Sequence, residues 1–131
     1  MHKTFLSLGA LFGAVAVVLG AFGAHGLKRI VSANDVAVFQ TGVQYQMYHT
    51  LALLITVIVY DRIRTNWLKW TGYLFSFGIL FFSGSLYLIT ALNAFGKSIP
   101  TAIGIITPIG GVLFICGWLC LLIGILTFRS L

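Results

Sequence analysis

The sequence predicts an all-α membrane protein, a single-domain bundle of four transmembrane helices, on three observations. Hydrophobic residues make up 60% of the 131 and charged residues only 8%, against about a quarter charged in soluble domains. A chain this short cannot hide so many Leu, Ile, Val and Phe side chains, 11 Phe among them, so lipid must cover much of its surface. Its bases, Lys3, Lys28, Arg29, Arg62, Arg64, Lys69, Lys97 and Arg129, stand almost entirely at the edges of apolar runs. Cations there meet anionic headgroups and set orientation. The formal charge of +6 is therefore scattered rather than clustered, which argues for membrane lipid as a partner and against nucleic acid.

The first span covers about residues 4–24. Gly9, Gly13, Ala16, Gly20 and Ala24 recur every three or four residues on one helical face. The Gly9/Gly13 pair is a G-x-x-x-G motif that admits a neighbouring backbone. A cleaved secretory signal is the alternative, from the basic start and the small residues near Ala21 to Ala24. The apolar core, at about 20 residues, exceeds the usual 7–15 of a signal's core, which favours a retained span.

His25-Gly26-Leu27-Lys28-Arg29 breaks that run. Ser32 followed by Asp35 three residues on reads as a helix start. A helix from there to Tyr60 would be roughly 40 Å long, against about 30 Å of hydrocarbon, so its membrane part lies nearer residues 43–60. After the basic turn Asp61 to Asn66, Trp67 and Trp70 mark an interfacial belt. The third span, about residues 67–92, carries Gly72, Ser76, Ser83, Tyr87 and Thr90 along one face. The last span covers about residues 101–128. Pro108, with Gly104, Gly110 and Gly111 around it, should kink or locally open this helix. Gly110, Gly117 and Gly124 then recur every seven residues as a second packing seam. Cys116 and Cys120 read as reduced small hydrophobes, since the neighbourhood lacks partners for a disulfide or metal site.

Four spans put both termini on one side of the membrane. The side with Lys3, Arg62, Arg64, Lys69 and Arg129 outweighs the side with Lys28, Arg29 and Lys97. The positive-inside rule then places both termini in the cytoplasm. In that orientation the polar side chains of all four spans converge on the outer half. There the second span contributes Gln44, Tyr45, Tyr48 and His49, and the third contributes Ser83 and Tyr87. On a helical wheel Gln40, Thr41, Gln44, Tyr45, Tyr48 and His49 face the bundle interior, and Gln46 and Thr50 face the other way.

Two readings of this cluster stand side by side. Side-chain hydrogen bonds between spans fix helix register, at about 0.6 kcal/mol apiece. Alternatively, Gln44, Tyr45, Tyr48, His49, Ser83 and Tyr87 line an outward-facing polar vestibule, with the His49 imidazole able to relay a proton or hold a ligand. A haem held between His25 and His49 is a third, weaker reading, because the two differ in depth. No carboxylate pair, nucleophile elbow, phosphate loop or Cys/His metal spacing is present, so neither cofactor nor metal is implied.

GAFGAHGL (Gly20 to Leu27), QTGVQYQMYHTLALL (Gln40 to Leu54), FSGSLY (Phe82 to Tyr87) and ITPIGGVLFICGW (Ile106 to Trp118) together resemble the domain-of-unknown-function 423 family. Its members are uncharacterised small bacterial inner-membrane proteins of the UPF0382 type. The resemblance covers nearly the whole chain in order and spacing. It implies an integral four-span protein of the plasma membrane and brings no established activity with it. The expected function is that of a non-enzymatic accessory or oligomer-forming subunit. Its glycine seams (Gly9, Gly13, Gly20; Gly110, Gly117, Gly124) would pack on each other, on a second copy or on a membrane partner. The alternative is a small carrier or channel built on the vestibule.

Overall fold

A computed structural model describes residues 2–128; Arg129, counted above for orientation, lies outside them. Four long helices order the chain: α1 (His2–Ala24), α2 (Ala33–Arg62), α3 (Asn66–Ala94) and α4 (Thr101–Leu126). Each is long and apolar enough to cross a bilayer. No strand occurs among the described residues, and the protein is an all-α membrane protein.

Local chemistry sets the helix ends. Ser32 accepts from the Asp35 backbone N–H at 3.2 Å and donates its hydroxyl to Asp35 Oδ2 at 2.8 Å, a reciprocal cap that starts α2. Thr65 caps α3 by accepting from Leu68 N–H at 3.4 Å. At the far end of α3, Gly96 takes φ +66°. It donates to Asn93 O at 3.1 Å, while Lys97 N–H reaches Leu92 O at 2.9 Å. That pair of bonds closes the helix in a Schellman turn, which only a residue tolerant of the left-handed region can make at low cost. Between α1 and α2 a single 3-10 turn, Leu27–Arg29, buries Leu27 against Phe39 and Val43.

α2 and α3 form the central pair, α1 packs along α2, and α4 packs along α3. The main core joins them through Phe5, Ala52, Leu53, Val57, Phe75, Ile79 and Phe114. Outward faces are apolar as well: Val18, Ile58 and Ile115 are all exposed. A fold solvated by lipid rather than water shows that distribution.

Both glycine seams are consumed inside the chain. A Cβ on Gly9 would lie 2.5 Å from Leu54 Cδ2, one on Gly13 would lie 3.5 Å from Thr50 Cγ2, and one on Gly20 would lie 3.4 Å from Val43 Cγ1. On α4, a Cβ on Gly110 would collide with the Phe82 backbone N, one on Gly117 would lie 2.6 Å from Phe75 Cε1, and one on Gly124 would lie 3.2 Å from Trp67 Cβ. The seams therefore pack on α2 and α3 of the same chain, not on each other. The α1 face is thus a packing seam of the bundle, as its spacing predicts, rather than a face held free for a second molecule.

The local opening expected at Pro108 does not occur. α4 is continuous helix through Pro108, which is exposed on the outer face, and a Cβ on Gly104, one turn earlier, would meet nothing within 4 Å. Pointing outward, the ring leaves the bundle packing undisturbed. Instead α3 widens into a π turn over Ile79–Ser83. That turn lies where the Phe82 backbone presses on Gly110, the closest helix–helix approach among the described glycines.

Candidate functional site: a paired polar network between the helices

The buried polar groups of α2 fall on the turns where other helices come close. Gln46 is 2% exposed and bridges three helices. Its amide Nε2 donates to Phe12 O of α1 at 2.7 Å, and its Oε1 accepts from the Tyr87 hydroxyl of α3 at 2.6 Å. One turn before it, Gly42 lets the Tyr87 ring approach, and the Gly42 carbonyl accepts from Ser83 Oγ at 2.7 Å. At the extramembrane end, Asn93 Nδ2 donates to Asp35 Oδ1 at 2.7 Å. Between α3 and α4, the Ser85 and Thr107 hydroxyls meet at 2.6 Å.

His49 sits on another side of α2, 5% exposed. Its Nδ1 donates to Tyr45 O one turn back at 2.7 Å, and its Nε2 accepts from the Trp118 indole N–H of α4 at 3.1 Å. The two partners together select the Nδ1–H tautomer. The ring stacks on Phe114 with centroids 3.5 Å apart at 9°, and Phe75 meets it edge-on at 5.4 Å. Both nitrogens are engaged, so no lone pair remains for a metal or haem. His25 instead turns its Nδ1 to Ala21 O at 3.1 Å at the end of α1. Among the described residues no three potential metal ligands cluster.

The six residues expected to line a vestibule divide into two groups. His49, Ser83 and Tyr87 point into the bundle, each with a partner. Gln44 is exposed, and Tyr45 and Tyr48 are 39% and 56% exposed, on the outer surface of α2. Tyr45 still packs its ring on Phe82, with centroids 4.7 Å apart. Gln46 and Thr50, expected to face outward, are the buried ones, Thr50 at 1%. At roughly 100° per residue, Gln46 lies almost opposite Gln44. Helix phase follows from where Gly42 and Gly13 permit contact, and polarity alone misjudged it.

Sequence reasoning missed Trp118, Gln46 and the Phe12 carbonyl. Trp118 did carry a signal, because an indole N–H in the middle of an apolar span calls for an acceptor. The carbonyl carried none. Among the described residues one buried side-chain oxygen, Thr50 Oγ1, has no hydrogen-bond partner.

Comparison with known proteins finds relatives of the chain by sequence. A family model described as a protein of unknown function (DUF423) matches residues 19–111. The chain is 49% identical to a UPF0382 membrane protein of Staphylococcus saprophyticus, over 97% of this chain and 98% of the relative. It is 39% identical to the UPF0382 membrane protein YwdK of Bacillus subtilis, over 92% and 94%. Against the UPF0382 inner membrane protein YgdD of Escherichia coli the identity is 35%, over 97% and 92%. No solved structure matches.

Proposed function

The chain belongs to the DUF423 family of membrane proteins of unknown function, and from that premise we propose that it is a non-enzymatic accessory subunit of the bacterial plasma membrane. One observation supports this reading above the others. The polar groups that could have formed a catalytic or transport site, above all both His49 nitrogens and both ends of the Gln46 amide, are paired with groups of the same chain. Interhelical pairs of this kind fix register in a bundle that lipid-exposed hydrophobicity cannot hold together.

The proposed location is the inner membrane, as in the name of the E. coli relative. Both termini lie in the cytoplasm, because the base-rich ends of the spans, at Lys3, Arg62, Arg64 and Lys69, belong on that side. With the glycine seams occupied within the chain, contact with a second copy or a membrane partner falls to the outward apolar faces.

Native mass spectrometry after mild detergent extraction tests the reading. A homo-oligomer, or a stoichiometric complex with another membrane protein, is the expected result. A monomer carrying a tightly held solute mass would overturn it in favour of a carrier.

A further inference from the structure

One outward edge of the bundle is not wholly apolar. Gln44, Tyr48, Leu51, Ile55 and Ile58 of α2 are all exposed. Their alternating spacing of four and three residues keeps them within about 40° of Gln44 around the helix. α1 packs to one side of that line, where Gly20 meets Val43 and Gly9 meets Leu54, and α3 lies behind it, against Gly42 and Gln46. Gln46, Ser83 and Tyr87 find partners inside the bundle. The Gln44 amide and the Tyr48 hydroxyl have no hydrogen-bond partner among the described residues; the Tyr48 ring lies 6.1 Å from that of Tyr45.

Both polar groups are deep. Tyr48 stands 13 residues after Asp35 and 13 before Asp61, about 20 Å from either charged end and so at the middle of the span. Gln44, one turn nearer the outer surface, is still about 9 Å inside a hydrocarbon layer about 30 Å thick. Neither side chain is long enough to carry its polar end to the headgroups, and an unpaired polar group in hydrocarbon is costly. At the level of Gln44, α1 presents Val17 and Val18 to the lipid and α4 presents Ile105 and Ile109. The polarity belongs to this edge of α2 and not to the level.

We propose that α2 meets α2 of a second copy of this chain along this stripe, in a parallel pair about a two-fold axis normal to the membrane. Copies inserted in the same direction bring Gln44 against Gln44 of the partner subunit at one depth. A primary amide is both donor and acceptor, so the pair exchanges two hydrogen bonds. Helical side chains lean toward the N-terminus, so the Tyr48 hydroxyl rises toward that pair from one turn below. Leu51, Ile55 and Ile58 continue the spacing as a coiled-coil seam, in which one polar position fixes register. Lipid offers the amide no partner, and an unrelated protein would need a matching group at the same level. A second copy supplies it by symmetry. The inference deepens the accessory-subunit reading, and rests on its oligomeric form, by naming the face and the partner.

Disulfide trapping in native membranes tests it. In full-length protein with Cys116 and Cys120 replaced by Ser, Leu51→Cys and Ile55→Cys report on the stripe. Val18→Cys on α1 and Ile109→Cys on α4 report on other outward faces. Oxidation with copper phenanthroline should trap a dimer from position 51 or 55 and none from 18 or 109. In mild detergent, native mass spectrometry over a dilution series should show self-association about tenfold weaker for Gln44→Leu, the loss expected of two interhelical hydrogen bonds. Diluted until the copies part, that variant should unfold as the unaltered protein does, because Gln44 has no partner within one chain. Trapping from position 18 or 109 instead, a complex with a different protein and no trapped dimer, or undiminished association of Gln44→Leu would overturn the proposal while leaving the accessory reading in place. A monomer carrying a tightly held solute mass would remove both.

Discussion

The indole N–H of Trp118 donates to His49 Nε2 at 3.1 Å, tying the last helix to the second across the aromatic stack of Phe114 and Phe75. An imidazole whose nitrogens both have partners acts as a structural strut. The nitrogen-15 shifts of His49 should therefore report the Nδ1–H tautomer rather than the Nε2–H form usual in water. In a double-mutant cycle, His49→Phe and Trp118→Phe should show a coupling of about 0.5–1 kcal/mol in detergent unfolding. Additive effects would show that the bond does not stabilise the fold.

Gln46 joins α1 to α3 through one amide. Replacing it by Leu leaves the Tyr87 hydroxyl without its acceptor and the Phe12 carbonyl without its extra donor. Stability should fall by about 1–2 kcal/mol. Gln44→Leu, on the outer surface, should change it by less than about 0.5 kcal/mol. Thermal unfolding in one detergent distinguishes the two.

The close approach of Gly110 to the Phe82 backbone is the tightest at any described glycine. A methyl group there must push α4 off the π turn of α3, and backbone cannot yield as a side-chain tip can. Gly110→Ala should cost about 1–3 kcal/mol or prevent folding. Gly104→Ala, with nothing within 4 Å of its new methyl, should be neutral or stabilising by up to about 1 kcal/mol, through helix propensity alone. Folded yield after membrane extraction, followed by thermal unfolding, measures both.

Pro108 faces outward on an unbroken helix, but without an N–H it cannot donate to the Gly104 carbonyl one turn back. Pro108→Ala should keep the fold and raise its unfolding midpoint, by restoring that donor and the helix propensity of the position. A lowered midpoint would mean that the proline shapes α4 after all.

Much of this architecture was legible in the sequence because membrane helices obey few rules. Length, charge at span edges and the Ser32/Asp35 cap marked α2 clearly, and glycine spacing marked the seams on α1 and α4. The rotation of α2 was harder to read. Its polar residues surround most of the helix, so their distribution names no single inward face. The contacts at Gly42 and Gly13 settle it, and neither can be seen without the facing helices. The π turn at Ile79–Ser83 has no sequence mark comparable to a proline, since it arises from packing against Gly110. The pairing of His49 with Trp118 joins residues 69 apart in sequence, and only the assembled bundle brings them together.

The central claim is that the polar positions between the helices are paired internally and do not line a water-filled path. Cysteine accessibility tests it most directly. With Cys116 and Cys120 replaced by Ser, single cysteines are placed at Gln46, His49 and Ser83, and a control is placed at Lys97 in the loop after α3. Each is exposed in intact membranes to a water-soluble maleimide, applied from either side. The account predicts rapid labelling at position 97 and none at positions 46, 49 and 83. Labelling of these three at a rate near that of position 97 would contradict it and restore the vestibule.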